Sequence, residues 1–222
     1  MKTIFNSTWV GNHICTEEAT LSQLDGYNKT RYSRRKNKEG LLEQASREAH
    51  EQQNVYFATI LNEDDSPYCA IESNVGYFGL DFLRDSYDNY LSFSYRSYPE
   101  YPEKLFLYGI ILYECRPGTT EKLRRIDFGY NFERSYSTLL YQGEAYNGTF
   151  EIIKTDHPPI SEAEFFKLLV DYPKFGEYDQ LIRLDRIPLL ARDRILEYTD
   201  KEFPAFRQYL QRDIERYQEP KQ

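Results

Sequence analysis

Eight short β-prone runs follow one another in the middle of the chain, with turn signals and no helical pattern between them. The runs are Val55–Ile60, Tyr68–Ser73, Gly76–Leu83, Asn89–Tyr95, Leu105–Tyr113, Leu123–Phe132, Ser137–Tyr141 and Thr149–Lys154. Strands spaced in this way pair with their neighbours along the chain. The series therefore predicts an antiparallel β-meander, and it constrains the fold more than any other feature of the sequence.

The breaks between the runs have the chemistry of tight turns. The stretch 64–67 is rich in aspartate and ends in proline, which is typical of a turn. Pro117 and Gly118 fit a type II turn, because proline fixes φ and glycine accepts a positive φ. Asn147 and Gly148, between β-prone flanks, favour a type I′ hairpin.

Two of the runs differ in how their side chains alternate. Leu105–Tyr113 has no polar alternation, which predicts a central strand covered on both faces. Leu123–Phe132 mixes arginine and aspartate with apolar residues, so we expect one of its faces to be wet.

Helical patterns flank the β-prone region. Residues 39–53 place apolar side chains on one helical face, and 29–38 form a basic run that we interpret as a solvated loop. Ser161 and Glu164 form a capping box before an apolar stripe that ends ahead of Pro173. Pro188 suits the first turn of another helix, and residues 203–217 carry a last apolar stripe.

The segments together predict an α+β fold. We expect an antiparallel meander with a central buried strand, one N-terminal helix, and a C-terminal set of about three helices packed on it. The 222 residues suit a single domain with an N-terminal segment (1–53), a sheet (54–155) and a helical part (156–222). In the N-terminal segment, Trp9, Val10 and Ile14 are expected to join a short strand.

The charge of the chain indicates which classes of partner it can bind, and its cysteines indicate the redox compartment. The net charge is −8, and residues 54–155 carry 15 acidic and 9 basic side chains. Such a field repels nucleic acid and anionic membranes and favours cationic partners. Cys15, Cys69 and Cys115 are about fifty residues apart and form no C-x-x-C pair, which indicates free thiols in a reducing compartment. With no signal-peptide pattern at the start, we expect a cytoplasmic protein.

Motifs for catalysis and metal binding are incomplete in this sequence. His50-Glu51 begins like the H-E-x-x-H zinc helix, but Asn54 stands where the second histidine is needed. Cys69 and Cys115 lie in apolar runs, so we interpret them as buried thiols rather than as partners of His157. We therefore predict no catalytic residue, no metal ligand and no cofactor.

Tyrosines and acidic residues alternate between Tyr68 and Tyr101. Tyrosine gives large contact area at low entropic cost, and nearby carboxylates steer basic partners. Tyr77, Tyr90 and Tyr95 are better explained as sheet packing. The predicted binding residues are Asp85, Tyr87, Asp88, Tyr98, Glu100, Tyr101 and Glu103.

The segments Tyr77–Tyr95 and Lys104–Glu114 resemble small bacterial immunity proteins from polymorphic-toxin loci, in texture and over about the middle third of the chain. The resemblance implies a protein-binding inhibitor whose partner is a basic toxin domain, with no nucleic acid and no membrane involved. Two alternatives stay open. One is a small hydrolase with a carboxylate and tyrosine site that includes Asp81 or Asp127. The other is a nucleic-acid mimic, although the many arginines disfavour it.

Overall fold

A single antiparallel sheet of ten strands dominates the computed structural model, which describes residues 1–9, 13–37, 39–83, 89–115, 122–142, 151–202 and 205–217. The spatial order is β1-β4-β5-β6-β7-β8-β9-β10-β11, and β12 pairs with β8. A separate hairpin is formed by β2 and β3. The strands are β1 (Lys2–Ile4), β2 (Thr8–Trp9), β3 (His13–Ile14), β4 (Tyr56–Leu61), β5 (Pro67–Asn74), β6 (Tyr77–Leu83), β7 (Asn89–Tyr98), β8 (Tyr101–Cys115), β9 (Lys122–Tyr130), β10 (Tyr136–Gln142), β11 (Glu151–His157) and β12 (Leu169–Asp171). The predicted meander is confirmed from β4 to β11, where every neighbour in the sheet is also the neighbour in sequence.

The described residues form five α-helices. They are α1 (Glu17–Asn28), α2 (Leu41–Glu51), α3 (Glu162–Lys167), α4 (Leu189–Glu202) and α5 (Ala205–Tyr217). Two of them, α1 and α2, lie between β1 and β4, ahead of the meander, where the sequence predicted one helix. No described helix combines the length and the apolar character that crossing a membrane requires.

Helix α1 escaped prediction because its apolar stripe is weak. It buries Leu21 and Leu24, but the third buried position is Thr20. Its start nevertheless carries a capping signal, since the Thr16 side chain accepts a hydrogen bond from the Ala19 amide.

The predicted capping box forms only in part. Ser161 Oγ accepts from the Glu164 amide at 3.2 Å, as expected for an N-cap. Glu164 Oε1 instead accepts from the Leu189 amide at 3.0 Å, at the start of α4. The apolar stripe predicted to continue this helix is wrong beyond Lys167, because Leu169–Asp171 forms β12 beside β8.

Strand β8 lies inside the sheet, as predicted, but it is covered on both faces only near its start. Leu105, Phe106 and Leu107 are fully buried, and β12 pairs with this part of the strand. Farther along, Ile110 and Leu112 are buried while Ile111 and Tyr113 are only half-buried. This second half has one covered face and one open face.

The sheet has two unlike faces. On the covered face, Tyr95 Oη donates to the Leu181 carbonyl at 2.9 Å, and Arg194 on α4 binds Glu114 on β8 at 2.7 Å. A cross-strand row on this face is apolar, and it consists of Ala58, Ile71, Leu80, Phe93, Ile110 and Phe128. We call the opposite face the open face. It carries a mixture of small, polar and aromatic side chains instead.

A groove on the open face of the sheet

The open face has a low floor formed by small residues. One cross-strand row runs through Glu72, Gly79, Ser94, Gly109, Gly129 and Ser137. Five consecutive strands, β6 to β10, thus contribute only glycine or serine to this row. The next row contains Ala70, Asp81, Ser92, Ile111 and Asp127. Larger side chains on either side of the low row make its floor a depression.

A groove of about 290 Å³ occupies part of this depression, and we call it the open-face groove. Aromatic side chains of Phe57, Tyr77 and Tyr113, together with Glu72 and Asp81, line it. The Tyr77 ring lies across Gly79, since a Cβ added at Gly79 would come within 2.8 Å of Tyr77 Oη. Glycine at this position therefore allows an aromatic ring to lie flat along the strand.

Two carboxylates face the groove without a described cation between them. Glu72 lies opposite Gly79 and Asp81 opposite Ala70, so the two acids are diagonal neighbours on adjacent strands. Burial raises the pKa of Glu72, and repulsion from Asp81 raises that pKa further. Asp81 accepts hydrogen bonds from Asn89 and Ser92. Glu72 is exposed and forms neither a hydrogen bond nor an ion pair with any described residue.

Cations elsewhere on the open face are already bound. Arg125 donates two hydrogen bonds to Asp127, at 2.6 and 2.7 Å, and its guanidinium lies 5.1 Å from the centre of the Tyr141 ring. Lys122 donates to the Asn89 side chain at 2.8 Å, and its ammonium group lies 4.0 Å from the centre of the Tyr113 ring. Arg125 thus neutralises Asp127 within the chain, whereas no described cation pairs with Glu72.

Arg96 shows the same preference for rings. Its guanidinium lies 4.4 Å from the centre of the Phe132 ring and 5.0 Å from that of Tyr108. Cation–aromatic contacts are therefore a recurrent feature of this face.

The binding residues predicted from the sequence fall into two groups. Asp85, Tyr87 and Asp88 lie outside the described residues, between the end of β6 and the start of β7. Tyr98, Glu100, Tyr101 and Glu103 lie around the turn between β7 and β8. The second group lies at the far end of β7 from Asn89, because a strand of ten residues is about 30 Å long.

The second group includes both core and surface residues. Tyr98 is only 7% exposed, and its ring contacts those of Phe132 and Phe165. Tyr101 is 52% exposed and stacks on Tyr98 with ring centres 5.7 Å apart. Glu100 is exposed as well, as is Glu103. Of the tyrosines assigned to packing, Tyr90 and Tyr95 are buried and Tyr77 lines the groove.

The groove itself was not predicted, although part of its signal is visible in the sequence. Tyr77, Gly79 and Asp81 alternate with buried apolar residues, and so do Ser92 and Ser94. This alternation marks a wet face. What the sequence does not show is the strand register that brings Glu72 beside Asp81.

His50 and Cys69 lie among residues of the core, and their contacts are those of structural rather than catalytic side chains. His50 is half-buried, its Nδ1 lies 3.0 Å from Tyr56 Oη, and burial lowers its pKa. Tyr56 also accepts a hydrogen bond from Tyr178, at 3.2 Å between the two hydroxyls. The Cys69 thiol is buried as expected, and burial raises its pKa well above the usual range, which disfavours the reactive thiolate. Within the described ranges, no cluster of three or more histidine, cysteine or acidic residues could hold a metal ion.

Comparison of the chain with protein-family models, with curated proteins and with solved structures gives no match. The function must therefore be argued from the residues of the open face.

Proposed function

We propose that this protein is a cytoplasmic inhibitor that binds another protein, of the immunity type that neutralises a cognate bacterial toxin, and that it binds through the open face of its sheet. The observation that carries the proposal is the open-face groove, where Glu72 and Asp81 lack a described cation and aromatic side chains form the walls. The proposed partner is a basic toxin domain.

The composition of this face suits protein recognition. Aromatic side chains at the centre of an interface supply most of its binding energy when they are packed in a pocket. Carboxylates around them attract a basic partner and accelerate its association. The net charge of −8 adds a long-range attraction for the same basic partner.

The turn between β7 and β8 offers a second part of the same interface. Tyr101, Glu100 and Glu103 are exposed there and have the chemistry that the sequence suggested. An interface of standard size covers about 800 Å² per partner, which is about 30 Å across if it is round. A single partner can therefore contact the groove and extend towards this turn.

Growth rescue tests the proposal. Each gene that flanks the gene of this chain is expressed alone in a bacterial host, and any that arrests growth is then co-expressed with the chain. We expect one basic product to arrest growth, the chain to restore it, and the two proteins to elute together in size-exclusion chromatography. A set of flanking genes without a toxin, or an arrest that the chain does not relieve, would refute the proposal.

A second candidate function is hydrolysis at the Glu72 and Asp81 pair. Two neighbouring carboxyl groups, one with a raised pKa, are the groups that general acid and base catalysis uses. This candidate requires measurable turnover of an ester or glycoside substrate that Glu72→Gln abolishes, whereas an inhibitor has no turnover to lose. The nucleic-acid mimic gains no support, because Arg125 neutralises Asp127 and Lys154 pairs with Asp156.

A further inference from the structure

We infer that the open-face groove receives one arginine side chain of a basic partner protein, with the guanidinium between the aromatic walls and the carboxylates of Glu72 and Asp81. This inference rests on the proposed function and deepens it, since it names the group that the surface recognises.

The same face already contains an arginine site that is filled from within the chain. Arg125 places its guanidinium against the Asp127 carboxylate through two hydrogen bonds and over the Tyr141 ring. Asp81 lies in the same cross-strand row as Asp127, three strands away. The groove repeats the combination of carboxylate and ring. Among the described cations, Lys122 lies over the Tyr113 ring, but none pairs with Glu72 beside Phe57 and Tyr77.

Charge complementarity identifies the occupant as a cation. Glu72 and Asp81 repel each other, and this repulsion contributes to the raised pKa of Glu72. A guanidinium placed between them would relieve the repulsion, because its positive charge would offset the negative charge of Glu72, which pairs with no described cation. Two carboxylates are too few for Ca²⁺, which takes six to eight oxygen ligands. The groove, at about 290 Å³, also lies just below the range typical of small-molecule sites.

The aromatic walls favour arginine over lysine. A guanidinium is planar, stacks on aromatic rings and binds a carboxylate through two parallel hydrogen bonds. An ammonium group is a compact and strongly hydrated point charge that stacks poorly. The rings of Phe57 and Tyr77 line the groove, and a flat cation can make more contacts with them than a round one.

Peptide titration followed by NMR tests the inference on the full chain. The probe is a capped pentapeptide with one central arginine among alanines, and the matched control peptide replaces this arginine with citrulline, a neutral isostere. We expect the arginine peptide to shift amide signals of β5 to β8 in a saturable way, and to bind at least about tenfold more tightly than the citrulline peptide, as a charge-assisted pair requires. A lysine peptide should bind with intermediate affinity.

Substitution locates the binding site. Glu72→Gln should weaken arginine-peptide binding at least about fivefold without disturbing the fold, because Glu72 forms no hydrogen bond with a described residue. Glu133→Gln, which removes the same charge from the exposed turn between β9 and β10, should leave binding unchanged. Equal binding of the arginine and citrulline peptides, or unchanged binding by the Glu72 variant with its native spectrum intact, would overturn the inference.

The peptide test needs no toxin, so its result is independent of growth rescue. If the peptide binds in the groove but no flanking gene product is neutralised, the arginine site stands and the immunity function falls. If a toxin is neutralised but the arginine peptide does not bind in the groove, only the inference about the groove is refuted.

Discussion

Glu72 is the residue whose surroundings say most about function. Its carboxylate is partly desolvated and repelled by Asp81, and both effects raise its pKa. Such an arrangement opposes folding slightly instead of supporting it. Residues that are unfavourable for stability and lie in a groove are common at binding sites, where the partner supplies the missing interaction.

Replacing Glu72 should therefore stabilise the free protein. The pKa of Glu72 is higher in the folded chain than in the unfolded chain, so its favourable contribution is complete below the ordinary glutamate pKa and is lost as pH rises through the raised value. Glu72→Gln should raise the free energy of unfolding by a small amount at pH 7, because the group is exposed and solvent-screened. The gain should vanish below about pH 4, the ordinary range for glutamate.

Urea unfolding of the two proteins at pH 7 and at low pH measures this difference. Glu133→Gln is the control, and its stability should follow that of the wild type at both pH values. A Glu72 variant that is less stable than the wild type at pH 7 would mean that the carboxylate makes a favourable interaction in the folded state.

The burial of individual side chains could not always be predicted from the sequence, because residues far away along the chain pack against them. Tyr98 precedes Pro99 in a turn-like stretch, which suggested a surface position. Its ring is nevertheless buried beside Phe106, Phe132 and Phe165. Those rings come from β8, the turn after β9, and α3. No local pattern around Tyr98 reports contacts with segments that are so far away along the chain.

Strands and helices were predictable to different degrees. The eight predicted strands all exist, because turn residues and alternating side chains define them locally. Their ends were less certain: β8 begins at Tyr101, not at Leu105, since its first residues pair with the end of β7. Strand β12 was read as helix because its three residues form a strand only by pairing with β8.

One buried ion pair should contribute to the attachment of helix α4 to the sheet, beside the core contacts of Ala191 and Ile195. Glu114 on β8 is 8% exposed and binds Arg194 at 2.7 Å, while Arg124 lies farther away at 3.7 Å. Arg194→Met keeps the length and apolar stem of the side chain but leaves a buried carboxylate with a weaker partner. We expect a loss of about 1–3 kcal/mol in the free energy of unfolding, the cost of leaving a buried acceptor without its hydrogen-bond donor.

Chemical denaturation is the measurement for this variant. Lys154→Met provides the control, because Lys154 pairs with Asp156 on the exposed strand β11 and should contribute less than about 1 kcal/mol. Equal effects of the two substitutions would show that the Glu114 pair does not secure α4.

At the scale of the whole molecule, the two faces of the sheet differ in what covers them. Segments that follow the meander pack on the covered face, and the open face keeps a row of glycine and serine between aromatic side chains. Composition and charge pointed to a cationic protein partner. They could not place the site, because a one-residue change in register would move Glu72 and Asp81 to opposite faces.

The most direct test of the open face uses its shape and leaves its charge intact. Ala70 lies beside Asp81 in the groove, and Ala70→Trp would fill the space that a partner side chain needs. Val75→Trp adds the same ring at a position that is 71% exposed in the turn between β5 and β6, and serves as the control.

Calorimetric titration of the toxin from the flanking gene into the three proteins gives the decisive comparison. We predict that Ala70→Trp weakens binding at least about 100-fold, or about 2.8 kcal/mol, while Val75→Trp binds like the wild type. Wild-type affinity in the Ala70 variant, with its fold intact, would contradict binding through the open face.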